Sequence, residues 1–166
     1  MMKYLKLLRV EQWVKNLFVF LPLFFSGNIT HFDLLLKSIF AFIVFSLVAS
    51  SIYIINDYSD IESDRKHPDK KNRPLASGQI SKSTAKLILV FLLFLIGIAI
   101  FLAKDLLFAN LWKFGTIIGF YFVMNLAYTF KLKHVAIVDV MIISIGFVLR
   151  VLAGGYATGI LIHQWA

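Results

Sequence analysis

Three aspartates in the middle of the chain have the spacing of a shared cation site. Asp57, Asp60 and Asp64 belong to a stretch, residues 57–69, that holds five of the nine acidic residues. On an α-helix, which turns 100° per residue, the three fall within an arc of about 60°. Like charges on one helix face repel, and Mg²⁺, which prefers carboxylate oxygens, would remove that repulsion. We therefore predict that all three are catalytic ligands of Mg²⁺; the alternative is a solvated acidic helix end, which would oppose the helix dipole.

A basic segment follows the aspartates directly. Residues 65–74 read Arg-Lys-His-Pro-Asp-Lys-Lys-Asn-Arg-Pro. Basic side chains beside a metal are the usual means of stabilising a departing pyrophosphate, whereas on their own they indicate membrane topology or contact with anionic lipid. Because the acidic trio adjoins the segment, we interpret it as a phosphate clamp, with Arg65, Lys70 and Arg73 as candidate phosphate ligands.

Two further charges lie within the last apolar stretch. Asp139 and Arg150 are 11 residues apart, which places them on one helix face within about 20° of each other. A charge inside a membrane is unfavourable and is a functional candidate by default; the alternative is an interior pair that locks helices together. The chain has no Cys, which excludes disulfides, thiolate metal sites and a Cys nucleophile.

The elements that position these residues are five apolar runs. The chain is 60% hydrophobic with a mean hydropathy of +0.82, which excludes a disordered chain and an ordinary soluble domain. Open strands cannot span lipid, so the runs predict an all-α, polytopic transmembrane helix bundle that forms a single membrane domain over residues 1–166. The predicted spans are residues 13–25, 34–55, 85–102, 111–130 and 135–162.

The distribution of basic residues predicts how the bundle is oriented. Of the 17 Lys and Arg residues, 13 fall in the N-terminal segment, in a long loop at about 57–83 with the adjoining Lys86, and in the connection at 131–133. Three fall on the opposite side, and Arg150 lies inside the last span. The Lys- and Arg-rich side is cytoplasmic, so we predict a multi-pass protein of the inner (plasma) membrane whose active site faces the cytoplasm. The net charge of +8 then reflects topology and not a nucleic-acid partner.

The run Asn56-Asp57-x-x-Asp60-x-x-x-Asp64 at the end of a membrane helix resembles the first aspartate-rich motif of the UbiA prenyltransferase superfamily. More of the chain is similar to one branch of it, the decaprenyl-phosphate phosphoribosyltransferases. The supporting segments are residues 9–16, 64–68, 72–78 and 132–134, with Asp139, Arg150 and residues 153–155.

The resemblance implies a bundle of about nine helices with its site at the cytoplasmic mouth. It implies Mg²⁺-dependent transfer of 5-phosphoribose from phosphoribosyl diphosphate to a polyprenyl phosphate lipid, with release of pyrophosphate, as a step of cell wall biosynthesis. Five of nine spans would be the N-terminal part of such a bundle, which we expect to be inactive alone or to assemble with another chain. The implied substrate-binding residues are Lys15, Asn16, Asn56, Arg65, Lys70, Arg73, Tyr128, Lys133 and Arg150.

Two other functions fit the same residues. A prenyltransferase of the superfamily would move a polyprenyl group from its diphosphate to an aromatic acceptor, and its acceptor pocket should be apolar. A non-enzymatic scaffold or transporter fragment would instead use Asp139 and Arg150 as an ion relay. The density of Lys and Arg beside the aspartates favours the phosphoribosyl reaction.

Overall fold

The computed structural model describes residues 2–104, 110–132 and 136–160, and every regular element in those ranges is a helix. This confirms the predicted all-α class. The α-helices are α1 Met2–Leu8, α2 Leu21–Phe25, α3 Phe32–Ser59, α4 Ile61–Lys66, α5 Lys82–Leu102, α6 Leu111–Ala127 and α7 Ala136–Thr158. Two 3₁₀ helices, Val10–Phe20 and Lys70–Asn72, and a π-helix, Tyr128–Leu132, complete the described elements.

Three helices are long and apolar enough to cross a membrane. They are α3, α5 and the Ile137–Thr158 part of α7, and they coincide with the second, third and fifth predicted spans. The fourth predicted span is the 17-residue α6, which continues into the five-residue π-helix. The chain is therefore a multi-pass membrane protein.

The first predicted span is not a regular α-helix, and the prediction is corrected there. Residues 10–20 form an 11-residue 3₁₀ helix, and the 5-residue α2 follows it. Pro22 lies in the first turn of α2; it has no N–H to donate and its ring clashes with a carbonyl four residues back. One continuous α-helix through residues 13–25 is thus disfavoured, and the N–H of Leu21 bonds the carbonyl of Phe18 in the tighter 3₁₀ manner.

The bundle is organised around α3, which contacts α1, the Val10–Phe20 segment, α5, α6 and α7. Phe45 of α3 and Phe114 of α6 are fully buried in the main core. The outer faces remain apolar: Leu87 of α5 and Ile137 of α7 are 70% and 75% exposed. Such surfaces suit contact with lipid or with further helices, not with water.

The polar segments of the chain meet at one end of the bundle. The Lys3 ammonium donates to the Gln79 carbonyl at 3.3 Å, and the Thr129 hydroxyl donates to the Asn56 side-chain oxygen at 2.7 Å. The N-terminal segment, the connection between α3 and α5 and the end of α6 therefore lie together, as the charge distribution predicts. The cytoplasmic orientation of this end stays a prediction.

The connection predicted at 57–83 is shorter than expected and is packed. α3 continues to Ser59, and Ser81 caps α5 by accepting from the Thr84 N–H at 3.1 Å. Leu75 and Ile80 are buried in a second small core with Leu7. The connection is therefore a structured cover on one end of the bundle.

Gly154 provides a test of how α7 packs on the 3₁₀ segment. A Cβ added to Gly154 would lie 1.9 Å from the Val19 carbonyl oxygen, whereas one added to Gly97 of α5 would meet nothing within 4 Å. We predict that Gly154→Ala lowers the free energy of unfolding by about 1–3 kcal/mol or more, as overpacking does. Gly97→Ala should be neutral or slightly stabilising. The measurement is thermal unfolding in detergent. Melting temperatures of both variants equal to that of the wild type would contradict this packing.

Candidate functional site

Two of the three predicted aspartates are paired with arginines. Asp57 and Asp64 are only 2% and 3% exposed. One nitrogen of Arg73, Nη1, donates to Asp57 at 3.2 Å and to Asp64 at 2.8 Å. Arg9 donates to the same Asp57 oxygen at 2.5 Å from the other side. The two carboxylates and two guanidinium groups, which we call the arginine–aspartate cluster, thus balance each other's charge.

The three predicted aspartates are not grouped as a metal site among the described residues, and their assignment to Mg²⁺ stays a prediction. Across residues 2–104, 110–132 and 136–160, no group of three His, Cys, Asp or Glu side chains is placed to hold a metal. Asp57 and Asp64 converge, as the helical projection indicates, since one nitrogen of Arg73 reaches both carboxylates. Asp60 lies between α3 and α4, and its N–H bonds the Asn56 carbonyl at 3.0 Å. Arg73 relieves the repulsion between Asp57 and Asp64.

A second polar group surrounds a cavity between the 3₁₀ segment, α3, α6 and α7. The cavity has a volume of about 290 Å³. Five residues singled out from the sequence line it, although they come from four elements: Lys15, Asn56, Tyr128, Asp139 and Arg150. The structure therefore brings together residues that are up to 135 positions apart.

The end of the cavity nearest the polar segments, which we call the mouth, is formed by Asn56, Tyr128 and Asp139. The Tyr128 hydroxyl is hydrogen-bonded to the Asp139 carboxylate. The Asp139 Oδ1 atom is buried and has no hydrogen-bond partner in the described part of the chain. The mouth presents hard oxygen atoms of the kind that Mg²⁺ prefers.

The inner end of the cavity, which we call the floor, is formed by Tyr121, Gly146 and Arg150. Arg150 is 6% exposed; its Nε donates to the Asn16 side-chain oxygen at 2.8 Å and its Nη2 to the Tyr121 hydroxyl at 3.2 Å. Asn16 in turn donates to the Ser46 hydroxyl at 2.9 Å. Predicted residue Asn16 thus orients Arg150 and does not itself line the cavity.

The remaining predicted residues lie elsewhere. The Arg65 side chain is half exposed, pairs with Glu62 at 3.2 Å and donates to the Ala76 carbonyl at 3.1 Å. Lys70 belongs to the short 3₁₀ helix of the connection and does not line the cavity. Lys133 falls outside the described residues. Arg73 belongs to the arginine–aspartate cluster.

Sequence reasoning missed several cavity residues, among them Tyr121, Asn125 and Gly146, and the role of Arg9. Tyr121 and Asn125 line the cavity with Tyr128, and their spacing of four and three residues is that of one helix face, so this signal was present. Gly146 carries no such signal. Arg9 adopts a left-handed backbone (φ 48°) and lies over the Tyr53 ring at 4.7 Å, which only the folded structure reveals.

Comparison with known proteins agrees with this architecture. The chain is 41% identical over 165 residues to a decaprenyl-phosphate phosphoribosyltransferase of Mycolicibacterium smegmatis, covering 97% of this chain and 50% of the relative. It is 39% identical over 164 residues to the protein of that name in Corynebacterium glutamicum, covering 97% and 48%. The chain therefore spans about half the length of these curated relatives.

The fold and the family are likewise recognisable. The structure of a UbiA homolog from Archaeoglobus fulgidus bound to GPP and Mg²⁺ superimposes with a TM-score of 0.69 at 23% identity, covering 95% of this chain and 54% of that one. This likeness concerns the fold alone. Residues 16–166 match the UbiA prenyltransferase family, and the chain belongs to that family.

Proposed function

We propose that this chain carries the donor site of a membrane transferase that moves 5-phosphoribose from phosphoribosyl diphosphate to a polyprenyl phosphate and releases pyrophosphate. The observation that carries the proposal is a single cavity with oxygen ligands at its mouth and a buried guanidinium at its floor. The similarity to phosphoribosyltransferases supports the same reaction. Because the chain spans half of those relatives, the activity is proposed for the chain alone or joined with the remaining helices.

We assign Mg²⁺ to the mouth of the cavity in place of the predicted trio. Asp57 and Asp64 are already neutralised by Arg9 and Arg73, so we assign them a positioning role. Asn56 and Asp139 supply oxygen atoms beside the cavity, and Asp60 follows Asn56 by one helical turn at the same end, where its N–H bonds the Asn56 carbonyl at 3.0 Å. We therefore propose Asp60, Asp139 and Asn56 as the residues that would hold Mg²⁺. When bound there, the ion would neutralise negative charge on the leaving pyrophosphate.

The reaction requires little proton transfer by the protein. The bond from the anomeric carbon to the diphosphate oxygen breaks, and a bond from that carbon to an acceptor phosphate oxygen forms. The acceptor phosphate is already ionised, so no strong general base is required. Lys15 and Tyr128 line the cavity, and their ammonium and hydroxyl groups would donate hydrogen bonds to phosphate oxygens, which orients the donor.

Membrane topology supports a water-facing entrance for the donor. The mouth lies at the end of the bundle that collects the Lys- and Arg-rich segments, and these segments favour the cytoplasmic side. We propose that phosphoribosyl diphosphate enters from the cytoplasm and that the polyprenyl tail remains among apolar helix faces or in lipid.

A prenyl transfer remains the second candidate because part of the cavity is apolar. Ile52, Ile143 and Phe147 line it beside the polar groups, and they would suit a prenyl chain. Two positive side chains, Lys15 and Arg150, also line the cavity, and a donor with a diphosphate and a second phosphate group would pair with both, which favours the phosphoribosyl reaction.

Removing one carboxylate at the mouth tests the proposed metal site. We predict that Asp60→Asn and Asp139→Asn each lower Mg²⁺-dependent turnover by about 100-fold or more, because charge on the leaving group is no longer stabilised. Membranes containing the chain would be incubated with labelled phosphoribosyl diphosphate and polyprenyl phosphate, and lipid-extractable label counted. Glu62→Gln is the matched control, since Glu62 is exposed and pairs only with Arg65 among the described residues. Unchanged turnover in both mouth variants would refute the metal assignment.

Removing Arg73 tests the arginine–aspartate cluster. Arg73→Gln leaves Asp57 and Asp64 buried with only Arg9 to balance them, and losing one partner of a buried ion pair costs about 3–5 kcal/mol. Since Arg73 is partly solvated (26% exposed), we predict a smaller loss, about 1–3 kcal/mol, in the free energy of unfolding. Lys71→Gln, an exposed neighbour, should melt with the wild type. Equal melting of all three proteins would show that the cluster does not stabilise the fold.

A further inference from the structure

The guanidinium of Arg150 carries a charge that the described part of the protein does not balance. Its printed hydrogen bonds go to the neutral oxygens of Asn16 and Tyr121, and no carboxylate in residues 2–104, 110–132 or 136–160 forms a salt bridge with it. A guanidinium has five N–H groups, so donors remain for another partner.

The unused part of the guanidinium faces the cavity at Gly146. A Cβ built on Gly146 would lie 3.0 Å from Arg150 Nη1 and 3.7 Å from the Tyr121 ring. Gly146 and Arg150 are one helical turn apart, and both line the cavity. The missing side chain therefore leaves Nη1 accessible from inside the cavity. Lys15 lines the same space and adds a second positive charge.

Neighbouring aromatic rings balance only part of this charge. The guanidinium carbon lies 5.1 Å from the Phe45 ring centre, 5.3 Å from that of Tyr121 and 5.4 Å from that of Phe147. Ring faces attract a cation, but a buried charge is fully stabilised only by a counter-ion with good hydrogen bonds. The planar fork of arginine matches the oxygens of a phosphate group.

We propose that Arg150, with Lys15, forms a subsite for a phosphate monoester on the floor, and that Gly146 determines its specificity by leaving room for the phosphate. The subsite is distinct from the oxygen ligands of the mouth. The identification of this ligand as a phosphoribosyl donor or a polyprenyl phosphate rests on the proposed function. Its negative charge is inferred from Arg150 and Lys15 alone.

The separation of the two ends fits a ligand with two phosphate groups. Asp139 and Arg150 are 11 residues apart on α7, or about 16 Å along the axis, and the Arg150 side chain shortens this distance because helical side chains lean toward the N-terminus. A phosphoribosyl donor carries its diphosphate at one end and its 5-phosphate at the other. The floor could equally hold the phosphate of the polyprenyl acceptor, which has the same monoester chemistry.

Binding to the full 166-residue chain in lipid nanodiscs tests the subsite. Isothermal titration would use ribose 5-phosphate for the donor end, farnesyl phosphate for the acceptor end, and Mg²⁺–pyrophosphate for the mouth. Gly146→Ala should weaken the binding of one of the two monophosphates by about 10-fold or more, because it places a methyl group against the guanidinium. The affinity for Mg²⁺–pyrophosphate should stay within about two-fold of the wild-type value. The monophosphate that is weakened identifies the occupant.

Two further variants keep the test decisive. Gly119→Ala on α6 is the matched control, because a Cβ there meets nothing within 4 Å, and it should bind all three probes as the wild type does. If Gly146→Ala does not fold, Arg150→Lys should show the same selective loss, since it keeps the charge without the fork. The proposal is overturned if the wild type binds neither monophosphate, or if the folded variants bind both unchanged. Selective binding without transferase turnover would refute the proposed reaction and leave the subsite standing.

Discussion

The pairing of two buried aspartates with two arginines is the constraint on which the polar end of the bundle depends. Asp57 ends α3, Asp64 belongs to α4, and both bond Arg73 of the connection, while Arg9 reaches Asp57 from the N-terminal segment. Two carboxylates brought together in a poorly solvated site would repel strongly without these partners. The cluster therefore fixes four segments against one another and sets the position of the neighbouring Asn56 and Asp60.

This constraint explains why a motif rich in aspartate need not use every aspartate on a metal. On the proposed assignment, the carboxylates at 57 and 64 pair with arginines, and the oxygens of Asn56 and Asp139, which line the cavity, would hold the metal together with Asp60. The cavity then has two chemically different ends, one suited to a hard cation and one to an anion. A ligand that carries a diphosphate and a second phosphate would match both.

The sequence was sufficient for the membrane class, for four of the five apolar elements and for the meeting of the polar segments at one end, because these follow from hydropathy and charge alone. It was insufficient for the 3₁₀ segment: Pro22 disfavours a continuous α-helix, but the packing of Gly154 against Val19 joins distant parts of the chain and leaves no local pattern. The helical projection indicated the convergence of Asp57 and Asp64, but not the arginines that pair with them. The partner of Asp57 at Arg9 is 48 positions away, and no local pattern reports such a contact.

The location of the divalent ion tests the account most directly. Crystals of the chain grown in a lipid phase with Mn²⁺ and phosphoribosyl diphosphate would show the ion by its anomalous scattering. We predict one or more peaks at the mouth, beside Asn56, Asp60 and Asp139. A peak between Asp57 and Asp64, with Arg73 displaced from both carboxylates, would contradict the account.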